Sequence, residues 1–364
     1  MFNGGTNSTA RSRSASKAQF LSRVKTTAVV LVVYACSITG GGEAAESKDP
    51  YARQFLKQAE EASTREDDGA VLELVRKVLQ NDPKSARAYA LRAKSFMHRK
   101  RYDRAVADAD KAISLDPQMA LAYVVRGKSG YLGGESSTDQ VTSDLNTAIR
   151  LDPKIPDGFF YLGVIATVEK DYQRSVDLFT KALTLSPRDS AVFQYRSAVY
   201  ALLHKDELAI KDLDMVIKLK PLEYQGYVTR ADALTRLKRF DDAIADYTAA
   251  IKCEPKQYIT RMYRATLFIK LGRYKDAIKD YTEAINLNPL DEDLFLRRGN
   301  TYVIMKDYQR ALADYNEALS LSGEYENAFR QRAKLYELMG KKDLAAKDIA
   351  RAAELKKRPA EKKI

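Results

Sequence analysis

The side chains best suited to catalysis or metal binding are few in this sequence. The chain of 364 residues has two histidines, His98 and His204, and two cysteines, Cys36 and Cys253. A covalent enzyme needs a nucleophile beside a base, and a structural zinc site needs about four Cys or His ligands. Neither histidine has a Cys, Ser or carboxylate partner that recurs with it. We therefore predict ordinary surface histidines, no enzyme activity, no metal and no cofactor.

Arginine and aspartate recur at a fixed spacing and could form ion pairs. Seven arginines are followed by an aspartate 16 residues later, or 18 in one case: Arg92 with Asp108, Arg126 with Asp144, Arg196 with Asp212, Arg230 with Asp246, Arg264 with Asp280, Arg298 with Asp314 and Arg332 with Asp348. At two further places both residues change together, to Gln58 with Leu74 and to Leu162 with Leu178. This matched presence and absence predicts bidentate contacts within structural pairs, rather than a row of ligand-binding arginines.

Prolines mark a period along most of the chain. They stand at residues 83, 117, 153, 187, 221, 255 and 289, spaced by 34 residues except for one spacing of 36. Helical patterning between breaks of this period predicts stacked helix pairs, each too small to bury its own apolar face. With each proline counted as the 32nd residue of a repeat, nine repeats cover residues 52–356.

The repeats agree in residue type as well as in length. The eighth residue is small in every repeat: Ala59, Ala93, Gly127, Gly163, Ser197, Ala231, Ala265, Gly299 and Ala333. The twentieth residue is small or β-branched, and the fourth is aromatic in all repeats but one, where it is Arg261. Small residues at fixed places let two helices approach closely.

These residues resemble the tetratricopeptide repeat (TPR) family, whose pattern has aromatic fourth, small eighth, alanine twentieth and proline 32nd residues. Phe295-Leu-Arg-Arg-Gly-Asn-Thr-Tyr302 followed by Ala311-Leu-Ala-Asp-Tyr-Asn-Glu-Ala318 matches it closely. The resemblance implies an all-α fold, a right-handed superhelical solenoid of stacked antiparallel helix pairs with about nine TPR units.

The resemblance also implies where a ligand binds, because the first helices of stacked TPR units line a concave groove that holds peptides or helices. The predicted peptide-binding residues are Leu121, Val124, Val125, Phe160, Tyr161, Val164, Gln194 and Tyr195. An apolar, tyrosine-rich surface suits an apolar peptide or an amphipathic helix. The alternative is that several of these side chains pack against neighbouring repeats. The asparagine that the family's chaperone-binding clamp requires at the sixth residue is absent, so that clamp is not expected.

The N-terminal region has the layout of an export segment. Residues 1–25 contain five basic residues and no acid, and the apolar run Ala28–Ala35 leads to Cys36. Residues 1–36 are interpreted as an export or lipoprotein signal with lipidation at Cys36, because Val33-Tyr34-Ala35-Cys36 resembles a lipobox. A plain cleaved signal and an uncleaved tail remain alternatives. Residues 37–51 are predicted to be a flexible tether, and residues 357–364 a basic tail.

The predicted function is a non-enzymatic adaptor or scaffold for a protein or peptide ligand, exported and periplasmic or anchored to a membrane through Cys36. A cytoplasmic TPR adaptor or co-chaperone is the alternative, followed by a nucleic-acid-associated helical repeat protein. The net charge is +12, but much of it lies in the two termini, so residues 51–350 carry only +5. A basic groove is therefore not expected, and no nucleic-acid partner is predicted.

Overall fold

The computed structural model describes residues 49–134 and 136–357, and every regular element in these ranges is an α-helix. The export signal, Cys36, most of the tether and nearly all of the basic tail lie outside the described residues. The eighteen helices described are α1 Pro50–Thr64, α2 Asp68–Asn81, α3 Ala86–His98, α4 Tyr102–Leu115, α5 Ala120–Gly133, α6 Thr138–Leu151, α7 Pro156–Val168, α8 Tyr172–Leu185, α9 Ser190–Leu202, α10 Asp206–Leu219, α11 Tyr224–Arg236, α12 Phe240–Cys253, α13 Tyr258–Lys270, α14 Tyr274–Leu287, α15 Glu292–Ile304, α16 Tyr308–Leu321, α17 Glu326–Leu338 and α18 Lys342–Lys357. The all-α class and the nine helix pairs are confirmed.

Within each repeat, the first helix (odd number) and the second helix (even number) are joined by a short turn that reverses the chain. Every such turn contains one residue with positive φ, near 56–76°: Glu66, Lys100, Gly134, Lys170, His204, Lys238, Gly272, Lys306 and Gly340. Only glycine adopts this left-handed backbone at no steric cost. Six of these nine residues are not glycine, so most repeats adopt the same turn in spite of its steric cost.

Prolines follow the ends of the first seven second helices. The residue after each of the first eight second helices donates its backbone N–H to a carbonyl four residues earlier, as Asp116 does to Ala112 at 2.8 Å. A proline that follows has no N–H to donate and cannot continue the helical ladder. The chain then turns into the next first helix, in some repeats capped by a side chain such as Ser85, which accepts from the N–H of Ala88.

By its contacts the chain divides into two compact units, split between Val192 and Phe193. In the first unit the small eighth residues are buried, and a side chain from the second helix fills the space beside them. A Cβ atom added to Gly163 would lie 2.8 Å from Cε1 of Phe179. The backbone of α7 therefore packs directly on this ring, as the small-residue pattern predicts.

The second unit repeats the same packing with tyrosines. Ala265, Gly299 and Ala333 are buried in first helices, and Tyr247, Tyr281 and Tyr315 are buried in second helices. A Cβ atom on Gly299 would lie 2.7 Å from Cε1 of Tyr315. Ala265, Tyr281 and Tyr315 belong to one continuous apolar core that runs from α13 to α17.

Candidate functional site

All seven predicted Arg–Asp pairs are present, so the structural interpretation of this series is confirmed. In each pair the arginine donates from Nε and Nη2 to the two carboxylate oxygens of the aspartate, over 2.6–2.9 Å. The aspartates are the more enclosed partners, and Asp144 and Asp280 are 2% and 3% exposed. Each pair ties the first helix of a repeat to its own second helix.

Five of these arginines also make a third hydrogen bond, which the sequence did not predict. Arg126 donates from Nη1 to Asp110 at 2.7 Å, an acceptor in the second helix of the preceding repeat. Four more arginines do the same: Arg230 to Asp214, Arg264 to Thr248, Arg298 to Thr282 and Arg332 to Asn316. The acceptor always stands 16 residues before the arginine. The sequence could have predicted this bond from an oxygen-bearing side chain that recurs at that spacing. The pattern is hard to recognise because the residue type varies among Asp, Thr and Asn.

Six of the eight predicted peptide-binding residues lie in the first unit, on α5 and α7. Five of them are buried, with exposures of 1–7%: Val124, Val125, Phe160, Tyr161 and Val164. Leu121 is half-buried. The burial of these five residues favours the alternative that their side chains pack against neighbouring repeats. They lie beneath the surface that a ligand would contact.

The ring contacts explain how this base is held. Tyr161 meets Phe160 edge-on with ring centroids 5.0 Å apart, and meets Tyr131 of α5 at 5.9 Å. Burial raises the pKa of the Tyr161 phenol to about 12, so it stays neutral at physiological pH. Val168, one turn beyond Val164 on the same face of α7, is 68% exposed. The buried layer of this surface is therefore made of packed aromatic rings, and its solvent-exposed part is apolar.

Two lysines of the first helices are buried, which the sequence did not predict. Lys94 of α3 and Lys128 of α5 are 4% and 6% exposed. Lys94 donates to Oγ of Ser63 at 3.2 Å, and Lys128 lies 3.0 Å from Oδ2 of Asp157 and 5.3 Å above the Tyr161 ring. Each lysine thus joins one first helix to a neighbouring one. Helical spacing alone could not show their burial, because it depends on how close those helices lie.

The surface-histidine prediction is wrong for His98. Its side chain is 12% exposed, and Nδ1 lies 3.1 Å from Oδ1 of Asp68 in the preceding repeat. Burial lowers the pKa of His98; Asp68 opposes that effect, and the charges of Lys94 and Lys128 add to it. His204 is exposed in a turn, as expected. Cys253 is a half-buried free thiol.

The other two predicted residues, Gln194 and Tyr195, lie in the second unit and are half-buried. The first helices of this unit are more polar. Tyr247 donates to Asp232 at 2.6 Å, Tyr315 donates to Asn300 at 2.6 Å, and Tyr325 donates to Asp293 at 2.9 Å. Arg297 bonds the other oxygen of Asp293. These contacts anchor polar groups along the first helices α11, α15 and their neighbours.

The part of the chain that is described holds neither a candidate metal site nor a candidate membrane span. No group of three or more His, Cys, Asp or Glu residues there could hold a metal ion. None of the described helices has the length and apolar character that a membrane crossing requires.

Comparison with protein families agrees with the repeat period. Models described as tetratricopeptide repeat match residues 68–120, 207–258 and 292–325, and a model described as TPR repeat matches residues 265–305. The chain carries tetratricopeptide repeats. TPR units generally mediate contacts between proteins, and the helix pairs within the matched residues are such units.

One curated relative matches a short stretch. The chain is 36% identical over 72 residues to the protein STIP1 homolog of Dictyostelium discoideum, a match that covers 20% of this chain and 13% of that protein.

Solved structures of TPR proteins match parts of this chain at low identity. A TPR protein from Parabacteroides merdae is 21% identical, with a TM-score of 0.49, over 65% of this chain and 93% of that one. YrrB, described as a TPR protein with an unusual peptide-binding site, is 14% identical, with a TM-score of 0.44, over 52% of this chain and 97% of that one.

Proposed function

We propose that this TPR protein is a non-enzymatic adaptor that binds a peptide segment or an amphipathic helix of another protein along α5 and α7. The observation that carries the proposal is the apolar strip on α7. Phe160, Val164 and Val168 follow one another at four-residue spacing and so share one face of the helix. The first two are buried and the third is 68% exposed, which gives a ligand an apolar contact on a rigid base.

The neighbouring helix extends the strip and sets its polar edge. Leu121 and Val125 share a face of α5, and Leu121 is half-buried. Lys128, one turn further along α5, forms an ion pair with Asp157 of the same protein. A ligand here gains affinity from apolar burial, about 25 cal/mol for each Å² removed from water, and orientation from the polar edge.

The test compares two exposed apolar residues of the same unit. Full-length protein is used to select binders from a displayed library of random 16-residue peptides, and affinities are measured by fluorescence anisotropy. We expect Val168→Asp to weaken binding by about tenfold or more, or roughly 1.4 kcal/mol. The matched control is Leu185→Asp on the second helix α8, which we expect to leave affinity unchanged within about twofold. Equal effects of the two substitutions would contradict the assignment of α7.

A co-chaperone role is the second candidate, favoured by the match to the STIP1 homolog. The sixth residues of the repeats after the first are Leu91, Val125, Tyr161, Tyr195, Thr229, Tyr263, Arg297 and Gln331, with no asparagine among them. We therefore expect no carboxylate-dependent binding of a chaperone's C-terminal peptide. Anisotropy with that peptide and with its C-terminal amide decides the matter, because a preference for the free acid would support the co-chaperone role.

The location we propose is the cell envelope, with the protein exported and lipidated at Cys36. Its support is the basic stretch of residues 1–25, the apolar run Ala28–Ala35 and the cysteine that follows. Mass spectrometry of the N-terminal peptide of native protein tests this. A diacylated fragment that begins at Cys36 is expected; an intact or Met-trimmed N-terminus would instead favour the cytoplasmic adaptor.

A further inference from the structure

The third hydrogen bond of the arginine series is missing its acceptor at one junction. In the five junctions described above, the residue 16 positions before the arginine offers an oxygen to Nη1: Asp110, Asp214, Thr248, Thr282 or Asn316. Before Arg92 the residue in that place is Arg76, which has no acceptor. Among the described residues, Nη1 of Arg92 has no hydrogen-bond partner.

The guanidinium of Arg92 is nevertheless held in the same way as the others. It donates from Nε and Nη2 to Asp108 at 2.7 and 2.8 Å. Its Cζ atom lies 5.2 Å from the centre of the Tyr89 ring. The side chain is 29% exposed. Two hydrogen bonds and a ring contact fix the plane of the guanidinium, so its Nη1 edge is a preorganised donor that solvent can reach.

The local charge favours an anion. Arg92 and Asp108 cancel, whereas Arg76 is exposed on α2 and forms no ion pair within the described residues. The nearby acid Glu73 is paired with Lys77 at 3.0 Å. At the junction between the first two repeats, Arg76 is therefore a positive charge without an ion-pair partner among the described residues, on the side of Arg92 where an acceptor is missing.

We propose that Arg76 and Arg92 form a binding site for a carboxylate from an acidic peptide segment of a partner protein. Two of the chain's own acceptors at the equivalent junctions, Asp110 and Asp214, are carboxylates, so the site is shaped for this group. An external carboxylate would accept from Nη1 of Arg92 and pair with Arg76. The site goes beyond the apolar strip on α7 and does not depend on it.

The first test asks whether the acceptor is truly missing. Arg76→Asp places a carboxylate where Asp110 stands relative to Arg126. The control, Lys111→Asp, makes the same charge change at an exposed position inside the next second helix, α4. We expect the melting temperature to rise by about 2 °C for Arg76→Asp relative to the control. No difference between the two would overturn the missing-acceptor interpretation.

The second test measures the ligand. Fluorescein-labelled hexaglutamate is titrated with full-length wild-type protein and with both variants, and anisotropy is recorded at fixed ionic strength. We expect Arg76→Asp to weaken binding about tenfold more than Lys111→Asp, because the new aspartate occupies the donor. Equal weakening would overturn the site, since general electrostatic attraction would then explain the binding. Displacement of the peptide by inorganic phosphate, but not by chloride of the same ionic strength, would overturn the carboxylate assignment.

Discussion

At the scale of single residues, the Arg–Asp series shows what covariation inside one chain can reveal. Partners within a repeat keep their types, and where Arg is lost, as at Leu162, Asp is lost too, at Leu178. The pairs were therefore predictable. The acceptors of the third hydrogen bond vary among Asp, Thr and Asn, because one hydrogen bond needs only an oxygen. A comparison of residue types alone therefore does not show that these positions have the same role.

Removing one partner of a pair should cost more than removing both. Arg264 bonds Asp280 and also Thr248, and Asp280 is 3% exposed. We expect Arg264→Leu to lower the free energy of unfolding by roughly 3 kcal/mol, because a buried carboxylate is stranded. Arg264→Leu with Asp280→Leu should lose less. Urea unfolding of both variants measures this, and equal losses would argue against the pairing as a source of stability.

His98 should make stability depend on pH. Burial lowers its folded-state pKa, whereas a histidine in the unfolded chain has a pKa of about 6.5. The unfolded state therefore binds more protons in this range, and the His98 contribution to stability is lost as the pH falls below the unfolded pKa. Lys94 and Lys128 oppose the new charge, and Asp68 favours it.

The measurement is urea unfolding from pH 7.5 to 5.5 for wild type, His98→Gln and His204→Gln. We expect the loss of stability on acidification to shrink in His98→Gln and to persist in His204→Gln, because His204 is exposed. The opposite pattern would place the titrating group at His204. The sequence holds no other histidine, so the two variants account for the side chains of this type.

At the scale of the helix pair, the period and the small eighth residues were enough to predict the packing of first helix on second. They did not predict how far each first-helix side chain is enclosed. Val125 and Phe160 look like groove residues by spacing, yet they are 1% and 5% exposed. Their burial depends on the distance between successive first helices. Large neighbours such as Tyr131 and Tyr161 set this distance, and helical periodicity does not predict it.

The turn within each pair makes a prediction for glycine. Gly272 has φ of +73°, and Gly323 lies in open space without positive φ. We expect Gly272→Ala to lower the free energy of unfolding by about 1 kcal/mol, because an L side chain strains this backbone. Gly323→Ala should change it by less than about 0.5 kcal/mol. Equal effects in chemical unfolding would show that the left-handed turn adds no constraint.

At the scale of the whole molecule, the sequence was enough to predict a fold of stacked helix pairs, because the same pattern occurs nine times in residues 52–356. Each repeat reinforces the others, so single departures such as Arg261 in an aromatic place do not obscure the period. Binding residues have no such redundancy. They occur once, and their role depends on which side chains remain reachable after the repeats stack.

The central claim is that a partner protein contacts the first helices of residues 49–192 at the exposed end of α7. Site-specific photocrosslinking in native cells tests it most directly, with the photoreactive residue placed at Val168 and, as the control, at Leu185. We predict a discrete protein adduct from position 168 and none from position 185, since only the former lies on the first-helix strip. An adduct from position 185 alone, or equal adducts from both, would contradict the claim.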